Sequence, residues 1–440
     1  MRLSCIALVL ASALALPACG SGNPMPMDTD GSEAGSGETG GEGGDPAADL
    51  LIRSDVEPDL DPAPSTEVRD AWRAAELDVG VSLYGELRTA ASGPGNVIFS
   101  PTSVRSAFSL LYLGAVDSTL DNFASVFGFD ADLDVNAEMF NWMFQRLVAR
   151  EDEGSEEHDP TIIIPGHSVW MAEGITPEPS FLDRLALHYD TGVYAIDFFG
   201  DPMGAEDLIN DWVGWKTNEL IPDLFSGQIR DTTAMVLVNT IYLKTPWLEP
   251  FEESLTSPIS FTTLDGPAVE VPAMHAYGLD LSANENADYV SVTVPFHTGL
   301  AATFILPTDF NAFVGGLDAT TLGEALVTPE SRMVDLVVPK LDTRFKANIL
   351  PQLETLGLIA SGDFTGTGAA GSITDVIHEV VVKMDEKGTE AAAATGIVVG
   401  DTGGFGDPLE LRLDRPYLMA ITDPSSGALL FFGSVADPSL

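Results

Sequence analysis

One stretch near the C-terminus limits the folds open to this chain: Asp385-Glu386-Lys387-Gly388-Thr389-Glu390-Ala391-Ala392-Ala393-Ala394-Thr395. It follows the strand-like run Val380-Val381-Val382-Lys383-Met384. Four consecutive alanines favour helix on propensity. Gly388 is a hinge residue, Thr395-Gly396 stops a helix, and Ile397-Val398-Val399 is β-prone. With period two, Thr389, Ala391, Ala393, Thr395, Ile397 and Val399 share one face. That face is small or apolar throughout and carries no charge, so it suits burial in a sheet. The segment is therefore able to serve as an exposed loop or as a central strand. Its small side chains would let it enter between two existing strands with little repacking.

The N-terminus reads as an export signal over residues 1–18. A short basic start, Met1-Arg2-Leu3, precedes the apolar run Ile6–Leu16, which is too short to span a bilayer. Leu16-Pro17-Ala18-Cys19-Gly20 resembles the bacterial lipobox, in which cleavage leaves a lipidated Cys19 as the first residue. That places the protein outside the cytoplasm, lipid-anchored to a bacterial cell envelope on its periplasmic side or cell surface. Cleavage would remove Cys5, leave a single cysteine and exclude an intrachain disulfide. Residues 19–65 read as a disordered acidic tether, with nine glycines in residues 20–49 and no Lys or Arg before Arg53. Gly35-Ser36-Gly37-Glu38-Thr39-Gly40 matches GxGxxG but follows no strand and opens no helix, so it is no nucleotide site. The 67 acidic against 20 basic residues give a net charge of −47, which argues against nucleic acid or heparin as a partner.

Residues 66–440 read as one domain, with no second low-complexity boundary. Helical spacing runs from Val68 to Leu87 and from Val104 to Leu113, the second behind the cap signal Ser100-Pro101-Thr102-Ser103. Strand, helix and strand follow at Thr161–Ile164, Pro179–His188 and Val193–Phe198, with a helix over Glu206–Leu220. Met235–Leu243 is an apolar run expected of a strand buried on both faces. Short strands then lead to a helix near Ile349–Leu356 and a C-terminal hairpin over Arg415–Pro438.

The Glu386–Thr395 stretch resembles, residue for residue, the reactive-loop hinge of the serpins. Asn96–Ser103, Ile209-Asn210-Asp211-Trp212-Val213 with Thr217-Asn218, Ile373–His378 and the terminal hairpin resemble that family's segments in the same order. Lys244-Thr245-Pro246-Trp247 departs from it, since Leu243 and Thr245 stand where the family usually has Phe and Gly. The resemblance implies an α+β fold, the serpin fold, with three β-sheets, eight or nine helices and an exposed reactive-centre loop. It implies a hinge at Glu386, Gly388, Thr389, Glu390, Ala391, Ala392, Ala393, Ala394 and Thr395. It implies a polar cluster of Ser100, Ser103, Asn239 and His378 where the main sheet opens, with His378 facing Asn239, and Trp247 where the loop first enters. Ser100 and Ser103 also read simply as helix caps, and Trp247 as a core residue.

The function implied is inhibition of a serine-type endopeptidase, or of a cysteine protease, by covalent trapping as the loop inserts. Counting about sixteen residues on from Glu386 gives a reactive bond at Thr402-Gly403, whereas counting back about eleven from Pro416 gives Phe405-Gly406. The first suits an elastase-like target and the second a chymotrypsin-like one. A non-inhibitory serpin acting as a binding protein, and a solute-binding surface lipoprotein of unrelated fold, are the alternatives. Nothing points to an enzyme: GxSxG, HExxH, CxxC and Walker motifs are all missing. The six histidines form no ligand-spaced pair, so the sequence points to no metal and no cofactor, and to a monomer.

Overall fold

The computed structural model describes residues 5–14, 44–91, 95–155, 158–327, 330–389 and 407–440. In chain order these form β1 (Cys5–Leu14), β2 (Leu51–Ile52), α1 (Thr66–Ala90), β3 (Val97–Phe99), α2 (Pro101–Tyr112), α3 (Ser118–Phe127), α4 (Leu133–Val148) and β4 (Ile162–Ala172). Next come α5 (Pro179–Tyr189), β5 (Val193–Ile196), α6 (Pro202–Lys216), β6 (Thr233–Pro246), β7 (Ser257–Thr262), β8 (Ala268–Glu285), β9 (Tyr289–Pro295) and β10 (Ala301–Pro307). The last part holds α7 (Phe310–Gly315), α8 (Ala319–Leu326), β11 (Glu330–Pro339), β12 (Leu341–Asn348), α9 (Leu350–Thr355), β13 (Ser372–Met384), β14 (Gly388–Thr389), β15 (Leu409–Arg412), β16 (Tyr417–Asp423) and β17 (Ala428–Val435).

One sheet has the order β12-β13-β1-β6-β4-β5-β2, with β14 added on β6. The other runs β15-β11-β8-β9-β10-β16-β17-β3, with β7 added on β8. The long strand β8 pairs β11 and β7 as well as β9, so the second sheet divides into two parts joined through it. The three-sheet, nine-helix α+β architecture expected from the sequence is what the described residues show. As its unbroken apolar run foretold, β6 is buried along nearly its whole length. In α2 every residue is buried, because the helix lies between the two sheets; it packs against both β6 and β17.

One expectation about the N-terminus changes. Residues 44–65 are ordered on the domain rather than part of a free tether. Ala47 is buried beside Trp170 and Tyr194, β2 pairs with β5, and the Asp59 carbonyl accepts from Asn141 and Gln145. Here apolar Ala47, Leu50 and Leu51 interrupt the acidic composition and find a core to join. The apolar run read as the core of an export signal forms a strand inside the main sheet, parallel to both β6 and β13.

A buried ion pair ties the helices to the C-terminus. Arg105 on α2 and Glu76 on α1 are fully buried and pair at 2.6 Å. The Arg105 guanidinium also donates to the carbonyls of Phe127 and Trp72 and lies over the Trp72 ring. Glu76 accepts from the Thr102 hydroxyl and from the Leu429 amide on β17. Removing one partner of such a pair strands the other charge in the core. Glu76→Gln is therefore expected to destabilise the domain by about 3–5 kcal/mol, read from the shift in urea midpoint. A midpoint within error of the parent would refute this role for the pair.

Candidate functional site

The candidate site is the position in the main sheet between β6 and β13. β6 and β13 do not pair with each other; β1 lies between them, with Leu10 opposite Asn239 on one side and His378 on the other. Above β1, in the same gap, β14 pairs antiparallel with the end of β6: Gly388 opposite Pro246 and Thr389 opposite Thr245. The gap thus holds Gly388 and Thr389, two residues of the expected hinge. Carried on one residue at a time, that register would set residue 391 against Leu243 and residue 401 against Thr233. Those are the β6 residues that β1 now pairs. Occupation by β1 and by residues 391–401 is mutually exclusive.

The hinge entry is held by a tight turn. The Asp385 amide donates to the Gly388 carbonyl, and the Lys387 amide donates to the Asp385 carboxylate at 2.9 Å. Gly388 has φ +141°, and a Cβ there would meet the Thr245 carbonyl and sit 2.6 Å from Pro246 Cα. Glycine is thus demanded by the close approach of two backbones. The Glu386 carboxylate accepts from Lys340 at 2.8 Å and from the Thr256 hydroxyl at 2.7 Å. Burial raises its pKa, but those two bonds outweigh burial and hold it below the usual carboxylate range. Asp385, one residue earlier, is raised, chiefly by burial.

Trp247 supports this turn from below. Its indole N–H donates to the Asp385 carbonyl at 2.9 Å, and its amide donates to the Lys387 carbonyl. The ring is 1% exposed and stacks on Phe296 with centroids 4.4 Å apart. Trp247 is therefore a core residue and a hinge support at once. Thr245, where the serpin pattern usually has glycine, is a further contact. Its amide donates to Thr389 Oγ1 at 2.9 Å, Thr389 Oγ1 lies 3.2 Å from the Thr245 carbonyl, and its own hydroxyl meets Thr161. Thr245 so links Thr161, just before β4, through its hydroxyl and the expected hinge through its backbone.

Under the gap the expected polar cluster is rearranged. Ser100 caps α2 by accepting from the Ser103 amide, and the Ser100 amide donates to His378 Nε2 at 3.1 Å. Both serines and His378 are fully buried. His378 does not face Asn239, because β1 stands between their strands. Asn239 instead donates to Ser106 Oγ at 3.2 Å and meets His167 Nδ1 at 2.7 Å. Ser106 and His167 were missed in the sequence, since neither lies in a recognisable motif. The signal available was the helical spacing of Ser103 and Ser106, which puts both on one face of α2. Cys19, Glu390–Thr395 and both candidate reactive bonds, Thr402-Gly403 and Phe405-Gly406, lie outside the described residues.

A family model described as serpin (serine protease inhibitor) matches residues 74–438. The chain belongs to the serpin family. It is 30% identical to serpin A12 of Mus musculus, covering 84% of this chain and 90% of that protein. Its fold is that of the thermophilic serpin tengpin in the native state, with a TM-score of 0.73 at 21% identity, covering 88% of this chain and 97% of that one. Human thyroxine-binding globulin, solved with its hormone bound, gives a TM-score of 0.71 at 25% identity over 84% of this chain and 99% of its own. Serpins are generally protease inhibitors rather than enzymes, and thyroxine-binding globulin is a non-inhibitory member.

His158 and His297, far apart in the chain, come together with Asp152, and one ligand atom from each lies within 4.8 Å of the others.

Two tests address the site. Gly388→Val should expel the turn from the end of β6, seen as faster hydrogen exchange of the Trp247 amide; unchanged protection would show that the close approach is not required. His167 is held down to about 3, first by burial and then by nearby Lys216. Its neutral form is favoured in the fold, so its stabilisation is present above the ordinary pKa near 6.5 and is lost as pH falls from there toward 3. His188 is also lowered by burial and adds in the same sense. The urea midpoint should therefore fall between pH 7 and 5, and less steeply in His167→Gln; equal slopes would exclude His167 as a contributor.

Proposed function

We propose that this serpin inhibits a serine protease by inserting its reactive loop between β6 and β13. The supporting observation is the antiparallel pairing of Gly388 and Thr389 with the end of β6, within a gap long enough for a full strand. The target's serine attacks the carbonyl carbon at the reactive bond, Thr402-Gly403 or Phe405-Gly406. An ester joins enzyme and loop, and the new amine departs with the proton held by the enzyme's histidine. The freed hinge then extends β14 along β6, carrying the acylated enzyme before water can reach the ester. Ladder hydrogen bonds and the buried face of Thr389, Ala391, Ala393, Thr395, Ile397 and Val399 supply the driving force. No Lys or Arg lies between Gly388 and Glu410, which directs the proposal to elastase- or chymotrypsin-like targets.

This mechanism needs the gap free of β1. Cleavage of the leader at Cys19 would remove β1 altogether, and lipidation of Cys19 would anchor the protein to a bacterial cell envelope. We therefore read the processed chain, residues 19–440, as the active inhibitor. The leading alternative is a non-inhibitory binding role, as in thyroxine-binding globulin.

The deciding experiment incubates residues 19–440 with chymotrypsin and with pancreatic elastase and resolves the products on a denaturing gel. A band of summed mass supports trapping, with the cleaved bond assigned by mass spectrometry. Loop cleavage without such a band, and without a gain in melting temperature, would favour the binding role. Ala393→Arg should fold normally yet lose the covalent band, since a guanidinium on the inserting face cannot be buried in the sheet without a partner. An undiminished band in that variant would refute loop insertion.

A further inference from the structure

We infer that Asp152, His158 and His297 form a binding site for a divalent transition metal, Zn2+ being the probe of choice. The three are half-buried, and one ligand atom from each lies within 4.8 Å of the others. Two imidazoles and a carboxylate are a donor set suited to Zn2+, which takes three protein ligands and leaves a fourth position to water. Alkaline-earth ions prefer an all-oxygen shell and would be poorly served by it.

The surroundings are built for such a site. Asp152 is pinned by an antiparallel bridge to Thr161, each amide donating to the other's carbonyl. The intervening loop turns at Gly154, φ +79°, where a Cβ would sit 2.7 Å from Pro160 N. His158 places Nδ1 2.9 Å from the Asp159 carbonyl. A proton on Nδ1 satisfies that carbonyl and leaves Nε2 with a lone pair, the arrangement metal-binding histidines use to fix tautomer and direction. His297 is fixed by its amide donating to the Pro246 carbonyl at 2.9 Å, in a turn closed by Gly299. The two rings stack with centroids 3.6 Å apart. Arg150, two residues before Asp152, is engaged by Asp423 and by the Thr298 carbonyl.

The location gives the site a consequence. A metal there would join the connection before β4 to the turn between β9 and β10, on either side of the end of β6. Pro246, which receives the His297 amide, is the residue opposite Gly388. A bound ion would brace the strand end against which the hinge is seated. Binding itself does not depend on the inhibitory reading, so the two can fail separately.

The test is titration of the purified full-length chain with Zn2+ against a chromophoric chelator, in excess Ca2+ to saturate the acidic surface. One site is expected, with the melting temperature raised by Zn2+. In His158→Ala/His297→Ala affinity should fall about tenfold or more, and the Zn2+-dependent melting shift should vanish. If that double variant melts below the parent without metal, Asp152→Asn supplies the second reading and should weaken binding likewise. Co2+ loading should give the visible absorption of a low-symmetry nitrogen–oxygen site in the parent alone. Zn2+ binding of equal affinity and stoichiometry in the variants, or none above that of Ca2+, would overturn the proposal.

Discussion

The structure depends on one constraint: β6 and β13 run parallel with a strand's width between their facing edges. Each edge carries a row of backbone donors and acceptors, and in a buried sheet those groups require partners. A chain segment must supply them, or the edges must draw together. β1 supplies them over Thr233–Leu243, and β14 begins to supply them above. The helix α2 floors the gap and holds it at a fixed depth. Its own position is set by the buried Glu76–Arg105 pair, which connects α1, α2 and β17. The ability of the sheet to take a strand is therefore a property of the whole frame and not of the hinge alone.

The departure from the usual serpin pattern at Thr245 is informative within that frame. Thr389 bonds the Thr245 backbone, whose amide donates to Thr389 Oγ1, and glycine would offer the same two groups. Threonine adds a hydroxyl that meets Thr161, just before β4. Hydrogen-bonded hydroxyls in a buried place strengthen one another and specify one arrangement. The added hydroxyl ties the end of β6 to the chain entering β4, while Gly388 and Thr389 are seated by the β6 backbone, the tight turn at Asp385–Gly388 and the Glu386 contacts.

Much of this was legible in the sequence because it rests on local chemistry. The cap at Ser100 and the apolar run of β6 each announce their own environment. What was not legible depends on which distant segments meet. His378 and Asn239 share a pairing partner in β1 rather than a contact, since a strand from the opposite end of the chain lies between them. Residues 44–65 read as polar linker by composition, yet a few apolar side chains suffice when a core is already waiting. His158 and His297 carry no spacing signal at all, because the two loops that hold them are brought together only by the end of β6.

Direction and connection decide which segment belongs in the gap. β1 lies parallel to both neighbours, the slightly weaker pairing per residue, whereas β14 already runs antiparallel to β6. β14 is also joined to β13 by a turn of a few residues, so its continuation is held at high effective concentration beside the gap. β1 reaches the domain only through residues 15–43, and the entropy of closing that longer connection counts against it. Both factors favour the loop over the leader wherever the two compete. A strand from the N-terminus can therefore fill the gap without being its best occupant, which is what the proposed insertion of the loop in its place requires.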